Sequence, residues 1–62
     1  MKLTLRALRI NKGYSQEKAA NLIGVSVETL ANYEKSVTYP DIPTLKKIEE
    51  VYETQYDNIN FF

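Results

Sequence analysis

The side chains that could do chemistry in this chain are amides, hydroxyls, carboxylates and cations, because its 62 residues include no cysteine and no histidine. That removes a disulfide framework, a zinc site and a thiol or imidazole nucleophile. No carboxylates pair in a pattern that suggests a cleft, so the sequence offers recognition by charge and hydrogen bonding rather than a reaction. It is read as not an enzyme, with no metal, cofactor or small-molecule ligand. The charges are unevenly placed. Residues 1–35 carry Lys2, Arg6, Arg9, Lys12, Lys18 and Lys35 against Glu17, Glu28 and Glu34, whereas residues 36–62 carry Lys46 and Lys47 against Asp41, Glu49, Glu50, Glu53 and Asp57. Zero net charge thus hides a basic half followed by an acidic one, the kind of asymmetry that steers a charged partner to one side.

Short helices must position these groups, and their starts and stops can be read locally. Thr4 is the expected N-cap of a first helix, with Leu3 placed to staple onto Leu8 and with Leu5 and Leu8 pointing inward. Gly13 terminates it. Ser15 caps a second helix that ends near Ile23, where Gly24 supplies the left-handed conformation of a sharp turn. Gln16 opens that helix, where free backbone amides and the dipole favour an anion. Ser26 caps a third helix running to about Lys35, stapled by Val25 and Leu30. Residues 36–40 read as a loop, since Pro40 holds Tyr39 extended and Val37 and Thr38 disfavour helix.

Asp41 then caps a fourth helix in which Pro43 is tolerated in the first turn. Ile42, Leu45, Ile48 and Val51 or Tyr52 form its expected inward stripe, leaving Lys46, Lys47, Glu49 and Glu50 to water. A short fifth helix is expected from about Tyr56 to Asn60, with Ile59 and Tyr56 covering the bottom of the core. Phe61 and Phe62 either pack back on that core or meet a second copy of the chain, because two phenylalanines left in water make a sticky patch.

The stretch QEKAANLIGVSVETLANYEK, residues 16–35, resembles the Cro/repressor-like, xenobiotic-response-element class of helix-turn-helix regulators of bacteria and phage. Gln16 matches the opening glutamine of that family, Ala20 its small residue, Gly24 its turn glycine, and Val25, Leu30 and Tyr33 its core positions. The likeness runs from about Thr4 to about Ile59. It departs at Glu53 and Gln55, where the family usually has a glycine and a small capping residue.

The resemblance implies an all-α domain of five short helices and a sequence-specific DNA-binding transcriptional regulator, a Cro-like repressor on a two-fold-symmetric operator. Its reading residues would be Val27, Glu28 and Asn32. Val27 could pack on a thymine methyl, Glu28 accept from a cytosine amino group, and Asn32 bond an adenine edge or a phosphate. Backbone contacts would come from Gln16, Ser26, Thr29, Lys35, Ser36, Thr38 and Tyr39, which position without reading. Arg9 and Glu34 match a structural ion pair of the family.

Sixty-two residues make a single domain, 1–62, too small for an enzyme with its own cleft. No apolar run reaches the length of a membrane span and the N-terminus lacks a signal peptide's long uncharged segment, so a cytoplasmic protein is the expectation. The implied partners are double-stranded DNA and a second copy, with the dimer surface expected at Tyr56, Ile59, Phe61 and Phe62. A competing reading keeps the fold without strong DNA binding, as a protein-interaction module or antitoxin. Zero net charge, Glu28 on the reading face and the aromatic tail lean toward it.

Overall fold

Every α-helix of the computed structural model, which describes residues 2–61, begins on a side chain that satisfies an amide of its own first turn. Thr4 Oγ1 accepts from Ala7 N at 3.1 Å to open α1 (Leu5–Asn11), and Ser15 Oγ accepts from Lys18 N at 3.0 Å to open α2 (Gln16–Ile23). Ser26 Oγ accepts from Thr29 N at 3.0 Å for α3 (Val27–Glu34), and Asp41 Oδ1 from Thr44 N at 2.9 Å for α4 (Ile42–Tyr52). Such a cap is worth about 1 kcal/mol, which matters for helices of only seven to eleven residues. Gly24, at φ 91°, ends α2, and both its amide and that of Val25 donate to Ala20 O, at 2.8 and 3.0 Å. An added Cβ there would meet nothing within 4 Å, so the positive φ alone asks for glycine.

α2 lies against both α3 and α4, and α1 against α3. The core between them is Leu5, Leu8, Ala19, Ala20, Ile23, Leu30, Tyr33, Ile48, Tyr52 and Ile59. Leu3, Tyr14, Val25, Leu45, Val51 and Phe61 pack around its edge. Among the described residues no helix is long and apolar enough to cross a membrane.

The fold differs from the expected five helices at its C-terminal end. After α4 the chain makes a 3-10 turn, Tyr56–Asn58, and then a strand, β2 (Ile59–Asn60), parallel to β1 (Leu3–Thr4) in the register Leu3↔Ile59 and Thr4↔Asn60. The all-helical core is thus four α-helices closed by a two-stranded clasp. Gln55 gives no side-chain cap; instead the Glu49 carboxylate, expected in water, accepts from Tyr56 N at 2.7 Å. Short of a cap and ending in β-branched Ile59, the segment gains more from pairing with β1 than from one further turn of helix.

Two further expectations are corrected. Ile42 is 69% exposed, because it precedes the turn at which α4 meets the core. Tyr56 is 54% exposed and does not cover the core, a task left to Ile59 at 4%. The missing glycine at the end of α4 is replaced by strain: Glu53 itself takes a left-handed φ of 52°, and its carboxylate pairs with Lys12 at the end of α1.

Candidate nucleic-acid interface

The N-terminal turn of α3 stands out of the core because its cap, Ser26, and its first residues have no apolar partner to meet. Val27 is 42% exposed and Glu28 is exposed beside it, while Asn32 is half-buried one turn on. Ser26 Oγ both accepts from Thr29 N and donates to Thr29 Oγ1 at 2.8 Å, so its hydroxyl is spent inside the helix and only Thr29 keeps a hydroxyl proton to offer outward. A groove of about 700 Å³ separates this turn from α2, lined by Ser15, Glu17, Lys18, Ala20 and Asn21 on one side and Val25, Ser26 and Val27 on the other, so that it holds one acid beside its one cation. Lys18 and Asn21 were not among the residues expected from sequence. Their spacing of three from Ser15 and from each other puts them on one helix face, and that was the available signal.

What fixes α3 is a network centred on Glu34, its last residue. Arg9 Nε donates to Glu34 Oε2 at 2.7 Å and Arg9 Nη2 to Oε1 at 3.3 Å, a two-toothed grip from α1. Arg9 Nη1 turns to Tyr14 O at 3.0 Å. Gln16 Nε2, from the start of α2, donates to Glu34 Oε1 at 3.0 Å. The Glu34 side chain is 5% exposed and that of Arg9 11%, so these bonds are little screened by water. The hydrogen bond to Glu34 raises the guanidinium pKa further above its ordinary value. Gln16 spends one amide proton here and retains the other.

Behind the network, Tyr52 is 2% exposed and its hydroxyl has no hydrogen-bond partner among the described residues. Burial, with the Glu34 charge adding to it, pushes the phenol up to about 12.

The loop after α3 is held by backbone bonds to Asn32 O, from Val37 N at 3.0 Å and Thr38 N at 3.5 Å. Lys35 is exposed at its start and Thr38 exposed further along. Ser36, expected to contact a nucleic-acid backbone, donates its hydroxyl to the main-chain carbonyl of Phe61 and its amide to Tyr33 O at 3.2 Å. A phosphate only accepts, and Ser36 has no donor left for it. The Tyr39 ring meets Phe61 edge-on at 6.3 Å.

The assembled geometry is two helices joined by a glycine turn, the second with its first turn outward and its last residue clamped to the first helix of the fold. The family profile described as Helix-turn-helix matches residues 5–59. The chain belongs to the helix-turn-helix family. Among relatives of this helix-turn-helix chain, the HTH-type transcriptional regulator ImmR of Bacillus subtilis is 34% identical over 53 residues, 86% of this chain and 42% of that protein. The cryptic phage CTXphi transcriptional repressor RstR of Vibrio cholerae is 38% identical over 48 residues, 77% of this chain and 43% of that protein. A prophage-derived regulator of Bacillus subtilis, YonR, is 34% identical over 47 residues, 76% of this chain and 44% of that protein. The chain spans less than half the length of the curated relatives it matches. No solved structure matches it at comparable significance.

Proposed function

We propose that this helix-turn-helix protein is a sequence-specific DNA-binding transcriptional regulator acting in the cytoplasm as a repressor. The observation that carries the reading is the exposed first turn of α3, held rigidly from behind by the Arg9–Glu34–Gln16 network. A helix of this kind enters the major groove with its N-terminal residues on base edges. In this reading Val27, Glu28 and Asn32 read bases. Gln16, Thr29, Lys35, Thr38 and Tyr39 hold phosphates, with Lys18 and Asn21 beside them. The relatives, a transcriptional regulator and a phage transcriptional repressor, support a DNA-binding role.

The operator of this reading is two-fold symmetric and met by a dimer, which sets two reading helices about 34 Å apart. Exposed Tyr39, Ile42 and Tyr56 ring an apolar groove of about 630 Å³ with Phe61 in its wall, and this supports a surface for a second copy. Ile59, assigned to that surface from sequence, is buried and leaves it; Phe62 lies outside the described residues. The same groove also favours a protein-interaction module, together with zero net charge and Glu28 exposed on the reading face. Salt separates the two readings, since phosphate contacts release counterions and weaken steeply as salt rises, whereas an apolar contact does not. Selection from random duplex DNA followed by titration at several salt concentrations is the test.

A further inference from the structure

Ser36 is one of two non-glycine residues with positive φ among the described residues, at 62°, directly after the reading helix. A side chain in that conformation is costly and persists only where its surroundings hold it. The angle belongs to the cap that ends α3, in which Ser36 N donates to Tyr33 O and Val37 N to Asn32 O, and the C-terminal segment adds a further hold: the Ser36 hydroxyl donates to the Phe61 carbonyl. Three residues on, the Tyr39 ring meets the Phe61 ring edge-on, their planes at 75°. One residue of chain therefore grips the loop at both ends, by its main chain at Ser36 and by its ring at Tyr39.

The grip has a fixed base. Ile59 is 4% exposed in the core, and Ile59 and Asn60 pair with Leu3 and Thr4, so Phe61 leaves the clasp one residue beyond an anchored strand. Its ring is also braced on the far side by Tyr56, at 6.1 Å. Between the two grips Val37 and Thr38 are exposed, and Lys35 lies just before the first.

We infer that Phe61 is a positioning residue for DNA-backbone contact: it sets the course of residues 36–39, and through them the aim of Lys35, Thr38 and Tyr39, without touching DNA itself. The inference rests on the DNA-binding reading above. It assigns Ser36 to holding the loop and not the phosphate.

The test is fluorescence anisotropy of Phe61→Ala, Phe61→Tyr and Ser36→Gly against the selected duplex and a scrambled duplex across a salt series. Sedimentation at the same protein concentrations accompanies it. Phe61→Ala should bind both duplexes more weakly by the same factor, keeping the ratio between them. Its slope of log affinity against log salt should be shallower by about one, for the single phosphate that Lys35, the one cation of residues 35–39, no longer neutralises, whereas the lost hydroxyl contacts of Thr38 and Tyr39 weaken binding without changing the slope. Phe61→Tyr, which retains the ring, should restore the wild-type slope. Ser36→Gly accepts the backbone angle freely but lacks the hydroxyl, so it removes the main-chain grip where Phe61→Ala removes the ring grip, and it too should give a shallower slope than the wild type while staying folded. Wild-type slopes in folded Phe61→Ala and Ser36→Gly overturn the inference, as does a loss confined to the selected duplex and accompanied by a fall in mass to monomer. If the wild-type chain binds no duplex, the DNA reading itself has failed and takes the inference with it.

Discussion

Gln16 and Glu34 are joined by a 3.0 Å hydrogen bond, and the carboxylate oxygen that accepts it also accepts from Arg9. The first residue of α2 and the last of α3 are therefore set by one buried carboxylate, which α1 neutralises. The bend of the helix-turn-helix is fixed at its open end as well as at the Gly24 turn.

Removing that carboxylate should be costly. Glu34→Ala leaves the Arg9 guanidinium without its anion in a nearly dry site, and should lose about 3 kcal/mol of stability. In a domain this small that is a fall of roughly 10–20 °C in melting temperature. Glu34→Gln retains an acceptor and should lose less. Circular dichroism melts decide it, and an unchanged melting temperature in Glu34→Ala would show that the network does not hold the fold.

Asn32 separates reading from folding. Its main-chain carbonyl holds Val37 and Thr38, and that bond does not depend on the side chain. Asn32→Ala should therefore melt like the wild type yet lose about 1–3 kcal/mol of specific DNA affinity. Undiminished affinity for the selected duplex would mean that Asn32 does not touch the DNA.

Tyr52 predicts an alkaline limit. Its phenol, pushed up to about 12 by burial, titrates near 10 once unfolded. The folded pKa is the higher one, so the stability linked to this group is fully present below pH 10 and is lost as pH rises toward 12. Tyr52→Phe should shrink that alkaline loss. At pH 7 it should be as stable as the wild type or up to about 1 kcal/mol more so, because a buried hydroxyl without a partner is removed. Denaturant melts at pH 7 and pH 11 test it, and an equal alkaline loss in both proteins contradicts it.

At Glu53 two small effects compete. A left-handed φ of 52° favours glycine, whereas the carboxylate pairs with Lys12 on the surface. The strain is worth about 1 kcal/mol or more and an exposed ion pair about 0–1 kcal/mol. Glu53→Gly should then be neutral to stabilising by up to about 1 kcal/mol, and a clear drop in melting temperature would show that the ion pair outweighs the strain.

These residues also mark how far the sequence alone could be read. Helix starts were legible because Thr4, Ser15, Ser26 and Asp41 act on amides within their own turn. The end of the chain was not. Whether residues 56–60 coil or extend is decided by Leu3 and Thr4, at the other end of the chain, and by the Glu49 carboxylate, seven residues back on α4. Ile42 fits the apolar period of α4 but sits before the turn that reaches the core, and periodicity says nothing about where a helix first meets its neighbour. The reading positions proposed on α3 came from the family resemblance, and the donors already committed at Ser26 and Ser36 appear only once Thr29 and Phe61 are in place.

Whether α3 reads DNA is tested most simply by selection from random duplex DNA at moderate salt, followed by anisotropy titration of the enriched sequence across a salt series. A two-fold-symmetric site bound with steep salt dependence is expected, together with a loss of that binding when Asn32 is replaced. A folded protein that enriches no sequence, or that binds every duplex alike, would contradict a DNA-reading role for this helix.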